Sequence, residues 1–245
     1  MQHTADAIQP RPAHNAGFSL VELSIVLVIL GLLTGGILAG QNLIRAAELR
    51  SITTDFDRIQ TATNTFRDKY FALPGDMRNA EDFWGVEVAA DATCKTQASD
   101  TPDTCNGDGD GVIDDSVASQ EEFRAWQHLA NAGLIEGTYS GIDSGDPIAL
   151  GDDVMRSKMN NGGWSFVDGV NPPQLAFGTR GNDITDGGII AASEAWNIDT
   201  KMDDGAPRTG IVQDINAVAA CSSATDYDVD DSGGAQTCAL SMNLR

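Results

Sequence analysis

Positive charge is scarce in this chain, with 15 Lys and Arg against 36 Asp and Glu and a formal net charge of −21. Such a chain repels nucleic acid and anionic lipid and favours cations, so no nucleic-acid partner is expected. A Cys-x-x-Cys pair is also absent, which excludes a zinc ribbon and a thioredoxin-type or haem-attachment site. No glycine-rich phosphate loop and no nucleophile-elbow motif occurs. Histidine is rare, and since His3 and His14 lie before residue 17, only His128 remains for the rest of the chain. Carboxylate pairs are numerous, as they must be in so acidic a sequence, and none is distinguished. The expectation is a protein that is not an enzyme, with no catalytic residue to name.

The acidity is unevenly spread. Residues 1–17 hold Asp6 and Arg11. Residues 18–72 hold Glu22, Glu48, Asp55, Asp57 and Asp68 against Arg45, Arg50, Arg58, Arg67 and Lys69, so both stretches are neutral. The entire net charge falls in residues 73–245, with 9 bases and 30 acids. A neutral, apolar stem therefore precedes an acidic head, in a chain of 245 residues that is long enough for a substantial core.

Only one long apolar run is present. From Leu23 to Ile44 no charged residue occurs. At about 1.5 Å per residue that run crosses a hydrocarbon core of about 30 Å, which predicts a membrane helix. A cleaved secretory signal has a shorter apolar core, about 7–15 residues, after a basic start. Here the start holds a single Arg, no small-x-small pattern stands out beyond the run, and no cysteine follows closely to take a lipid. Gly31, Gly35, Gly36 and Gly40 offer small faces for a neighbouring helix, a spacing equally ordinary in membrane helices. Glu22, at the head of the run, costs roughly 2–3 kcal/mol in lipid unless it is paired. No base lies within helical reach of it. A cut between Gly17 and Phe18 would create a cation, the new α-amino group, which a neighbouring copy could offer to Glu22.

Gly17-Phe18-Ser19-Leu20-Val21-Glu22, followed by the apolar run, resembles the leader junction of type IV pilins and of the pseudopilins of type II secretion systems. The resemblance covers about residues 10–73 and leaves the head unassigned. It implies that a prepilin peptidase in the inner membrane cuts between Gly17 and Phe18 and methylates the Phe18 amine. It also implies that Glu22 neutralises that amine on an adjacent subunit during assembly. Further implied partners are copies of the chain, other pilin-like subunits and an inner-membrane assembly platform. The implied location is the inner membrane for a single-pass precursor with its head in the periplasm, and then a periplasmic or extracellular filament. Ala39 stands where many members carry a kinking proline, which implies a straighter stem.

The helix is expected to run past the membrane segment. Leu49, Phe56, Thr63 and Tyr70 recur every seven residues, as do Ile52, Ile59, Phe66 and Leu73, which makes one apolar stripe. Pro74-Gly75 should stop the helix near Ala72. Domains are therefore expected at residues 1–17 (leader, removed), 18–73 (helix, with 18–41 as the membrane and assembly part) and 74–245 (head). The stripe calls for a partner surface, and in pilin-like proteins that partner is an antiparallel sheet. The fold class is α+β.

Short strand-like segments around Trp164–Val167, Leu175–Phe177, Ile189–Ala191, 209–215 and 238–244 are separated by Gly, Asn and Pro. Ser119-x-x-Glu122 reads as a capping box, with Phe123, Trp126 and Ala130 on one face of an amphipathic helix that Gly133 closes. His128 falls inside that helix, packed or on its surface. The four cysteines of an exported chain favour disulfides, and of three pairings the local one is expected: Cys94–Cys105 with Cys221–Cys238.

The sharpest feature of the head is residues 105–115, CNGDGDGVIDD. Asn106, Asp108 and Asp110 alternate between glycines, the Val112 carbonyl would follow, and Asp114 comes next, a spacing that suits Ca²⁺ with its 6–8 oxygen ligands. Val117 stands where an EF-hand register would need an acid, so Asp115, Glu121 or Glu122 would have to complete the shell. An acidic surface turn is the plainer reading of the same residues. Asp199, Asp203 and Asp204, then Asp226, Asp228, Asp230 and Asp231, then Asp152–Asp153 and Asp143/Asp146, read as solvated turn acids. The expected function is a structural subunit of a pilus or secretion pseudopilus. The alternative is a membrane-tethered or filament-tip module for Ca²⁺-dependent binding or adhesion.

Overall fold

The computed structural model describes residues 19–86, 103–114, 120–159, 161–215, 221–229 and 238–245. Among the described residues nine elements follow one another: α1 (Leu20–Tyr70), α2 (Glu81–Trp84), α3 (Glu121–Asn131), β1 (Met155–Arg156), β2 (Gly162–Phe166), β3 (Gln174–Thr179), α4 (Ala192–Met202), β4 (Val212–Asp214) and β5 (Leu240–Asn243). The fold is α+β and pilin-like, a long N-terminal helix with an antiparallel sheet in a globular head. Two compact units divide the chain between Ala46 and Ala47, within α1.

The first unit is helix and nothing else that is described. Its start is fixed by its own polar residues: Val21 N–H donates to Ser19 Oγ at 3.3 Å, and Ser19 N–H donates to Glu22 Oε2 at 2.9 Å. Ser19 thus caps the first turn through its hydroxyl, and Glu22 supplies the reciprocal half of a capping box by reaching back to Ser19 N–H. Leucine and isoleucine side chains along this part are exposed on every side. The few hydroxyls turn inward to the helix, Ser24 Oγ to Val21 O at 2.8 Å and Thr34 Oγ1 to Leu30 O at 2.9 Å. Hydroxyls that bond back to their own helix, on a largely apolar surface, suit a lipid environment. The helix fits a membrane-anchored precursor, being long and apolar enough to cross a membrane, with none of its most apolar stretch buried.

The second unit begins at Ala47 and uses the rest of α1 as a core element. Ile52, Phe56, Ile59, Ala62 and Phe66 are all buried at helical spacing. They share one hydrophobic core with Phe123, Trp126 and Leu129 of α3 and with Trp164, Phe166, Leu175 and Phe177 of the sheet. The helix ends at Tyr70 rather than near Ala72, because Phe71 takes a left-handed conformation with φ 56° ahead of Pro74. Arg67 and Lys69 in the last turn complement the helix dipole.

The sheet is antiparallel throughout, in the order β1-β2-β3-β5-β4. Trp164 lies opposite Phe177, and Met242 sits between Leu175 and Val212. Every residue of β2 is buried, with Trp126 of α3 packed against Phe166 at 4.9 Å between ring centroids, the rings tilted by 50°. The chain's last strand, β5, is thus internal to the sheet. A disulfide, Cys221–Cys238, closes a 17-residue separation just before it. A loop of that size contributes about 3 kcal/mol by restricting the unfolded chain.

Several sequence expectations need correction. Helix α3 has Gln120, not Ser119, as its N-cap, without a side-chain capping bond, and Ser119 itself lies outside the described residues. α3 is amphipathic as expected, but its polar face is not left in water: Glu121 to Leu129 are all buried, since core, loop and turn surround it. Ile189–Ala191 is no strand but a single bridge from Ile190 to Cys238, after which α4 begins. Asp199 is not a solvated turn acid either. It lies on the inner face of α4, fully buried, where Tyr227 Oη donates to it at 3.0 Å and burial raises its pKa to about 6. Asp153 is likewise buried and accepts from Ser144 Oγ at 2.8 Å and Ala149 N–H at 2.7 Å.

Candidate functional site

Gly17 and Phe18, where cleavage is expected, lie outside the described residues. Immediately after them the geometry is defined. Glu22 is the only acid in the first turn of α1, and its Oε2 already holds Ser19 N–H. The carboxylate is therefore folded back toward the start of the helix, with Oε1 left to meet a second donor arriving there. Below it the helix surface is apolar as far as Gly40 apart from Ser24 and Thr34, and a Cβ added at Gly31, Gly35, Gly36 or Gly40 would meet nothing within 4 Å.

The second candidate region is the acidic loop. The structure keeps Asp108 in a cluster but joins it to Asp76 and Glu121, one carboxylate oxygen of each lying within 4.8 Å of the others. Asn106 faces elsewhere, its Oδ1 accepting Glu81 N–H at 3.0 Å. Asp110 Oδ1 accepts Val112 N–H at 2.8 Å, and Asp108 Oδ1 accepts Asp110 N–H at 3.0 Å, so both acids shape the turn. Asp114 N–H and Asp108 N–H donate to the two oxygens of Glu121, at 3.3 and 2.9 Å. Asp115 is outside the described residues.

Asp76 reaches this loop through two glycines. Gly75, with φ +87°, has no Cβ to collide with the Glu121 carbonyl, and a Cβ on Gly107 would strike the Gly75 carbonyl and the Asp76 backbone. The two turns therefore pack backbone to backbone, sealed by Gly107 N–H to Met77 O at 2.9 Å. Burial is the main cause that raises Asp76 to about 6 and Glu121 to about 7, and neighbouring carboxylates add to it. No signal near Asp76 in the sequence marks it, because its partners are 32 and 45 residues away along the chain.

His128 has no room for chemistry. It is fully buried, Gly75 N–H donates to its Nδ1 at 3.0 Å, and its ring stacks on Phe66. Accepting at Nδ1 leaves the proton on Nε2, which faces Thr104 Oγ1 at 3.0 Å. Burial, with the Arg124 charge nearby, lowers its pKa to about 3. Proton NMR of the full chain should therefore show the His128 ring unchanged from pH 8 to about 4, whereas an exposed imidazole titrates near 6.5. Because the folded value is depressed, this group's share of the stability is complete above about 6.5 and declines as pH falls below it.

The disulfide Cys221–Cys238 forms as the sequence suggests. Cys105 is also disulfide-bonded, and its expected partner Cys94 lies outside the described residues. Two further acidic groups occur among the described residues, Asp143/Asp146/Asp183 and Asp199/Asp203/Asp204. Neither contains a buried side-chain oxygen left without a hydrogen-bond partner.

No curated protein and no solved structure matches the chain significantly. The N-terminal stretch does have a match, and it brackets the junction and the first turns of α1. Residues 12–38 match the prokaryotic N-terminal methylation motif, so the chain carries the prepilin-type motif of type IV pilins and pseudopilins.

Proposed function

We propose that the chain is a structural subunit of a type IV pilus-like or type II secretion pseudopilus filament, and that it performs no catalysis. In this reading a prepilin peptidase cuts between Gly17 and Phe18 and methylates the Phe18 amine. The subunit then enters the filament from the membrane through α1, alongside copies of itself and other pilin-like chains, its head on the periplasmic side. The observation that carries this reading is the coincidence of the matched motif at residues 12–38 with Glu22 at the capped start of a helix whose residues 20–39 are exposed and largely apolar.

The physical logic is an exchange of environments. In one copy, the Glu22 carboxylate has one backbone N–H for company. That leaves most of the cost of holding a charge in lipid in place. A neighbour's cleaved N-terminus brings a full positive charge into the same low-dielectric layer, where a charged pair attracts strongly. Apolar helices packing side by side complete the contact.

The reading is tested by fractionating the native host under conditions in which filaments form. The mature chain should sediment with sheared or periplasmic filaments and cross-link there to other subunits. Recovery solely as an uncross-linked inner-membrane protein would contradict it.

A further inference from the structure

The matched motif says nothing about the head, and the filament reading does not account for the carboxylates gathered around residue 108. We propose that Asp76, Asp108 and Glu121 bind one divalent cation, Ca²⁺ by the chemistry of their donors, and that this ion fastens the 105–114 loop to the first turn of α3 and to the turn after α1. The inference is independent of the filament reading, since it rests on the head alone.

Three carboxylates contribute oxygens within 4.8 Å of one another. Asp76 is 4% exposed, and its Oδ1 is buried with no hydrogen-bond partner, while Oδ2 accepts Gly111 N–H at 3.0 Å. A buried carboxylate oxygen without a donor is costly, and a cation resolves that cost. Arg78, the nearby base, gives its guanidinium to the carbonyls of Asp108 and Gly109, at 2.5 and 3.0 Å, and so braces the loop. Glu121 is held in place by Asp108 N–H and Asp114 N–H, so its oxygens are oriented before any ion arrives. Asp108 is exposed and opens the cluster to solvent on one side.

The donors are oxygen only, with no His or Cys among them, which favours a hard cation over zinc or copper. An irregular set of acids from three separate segments suits Ca²⁺, which accepts 6–8 oxygens in flexible geometry, better than Mg²⁺ with its octahedral demand. Water and loop carbonyls are left to supply the remaining positions.

The full-length chain in detergent micelles, stripped with chelator, should melt at a temperature higher by on the order of 5 °C in about 1 mM CaCl₂. MgCl₂ at the same concentration should give a smaller shift, and an equal one would overturn the calcium assignment. Calorimetric Ca²⁺ affinity should fall at least tenfold in Asp76→Asn and in Asp108→Asn. Asp108→Asn serves as the second variant because it changes an exposed carboxylate and keeps the oxygen that accepts Asp110 N–H. A wild-type chain that melts alike in calcium and chelator, or a full calcium shift retained by Asp108→Asn, would overturn the proposal.

Discussion

Replacing Glu22 by alanine should reduce the amount of chain in the filament fraction at least a hundredfold, while the amount held in the membrane stays level or rises. The two directions have different causes. In the membrane, the carboxylate costs roughly 2–3 kcal/mol, which alanine removes. In the filament, the neighbour's amine would remain buried without its counter-charge, and breaking such a pair costs about 3–5 kcal/mol. Alanine also removes the bond from Ser19 N–H that closes the first turn of α1. Loss of such a cap costs about 1 kcal/mol and would fray the end of the helix. Glu22→Gln separates the two effects, because the amide oxygen still accepts Ser19 N–H but carries no charge. Quantitative blots of filament and membrane fractions should show Glu22→Gln failing almost as completely as Glu22→Ala. Normal assembly of Glu22→Gln would mean that capping, not charge, is the role of this residue.

Phe66→Ala should lower the melting temperature of the head by on the order of 10 °C, followed through its tryptophans. Phe66 has no exposed surface and stands where α1, α2 and α3 meet. Its ring lies 4.6 Å from Tyr70, 6.2 Å from Trp84 of α2 and 6.2 Å from His128 of α3, with which it is parallel to within 6°. Truncating a phenylalanine in such a setting costs about 3–5 kcal/mol, part in lost transfer energy and part in the cavity left behind. That is a large fraction of the roughly 5–15 kcal/mol that holds a domain folded. His128 would also lose the stacked face that fixes its ring for Gly75 N–H. Phe66→Leu fills most of the volume and should cost less than half as much. Equal losses for the two variants would mean that the aromatic contacts, rather than filled volume, dominate at this position.

Much of the stem was legible because helical periodicity is local. The heptad stripe through Ile52, Phe56, Ile59 and Phe66 is the buried face, and β2, β3, β4 and β5 fall where short apolar segments sit between turns. Glu22 was legible as an anomaly, but its partner in the single chain, Ser19 N–H, was overlooked although Ser-x-x-Glu spells it out. Helix α4 was missed: Ala192, Ala195, Ile198 and Met202 carry its period, but neighbouring Asp and Gly residues read as a turn. The two-residue β1 is too short for any pattern. For the acidic cluster, sequence placed Asp108 and offered Glu121 as one completing ligand, whereas Asp76 comes from a tertiary contact that Gly75 and Gly107 permit. No spacing rule encodes such an approach. Asp55 shows the same limit, since it is buried on the inner side of α1, where burial raises its pKa and Lys158 and Arg58 partly offset the effect.

Processing at the Gly17–Phe18 bond is the premise on which the roles of Glu22 and of the apolar helix depend. Mass spectrometry of the chain recovered from its native host reads that premise directly. The account predicts a mature N-terminus at Phe18 bearing one N-methyl group. A chain from filament-producing cells that still begins upstream of Phe18 would contradict it.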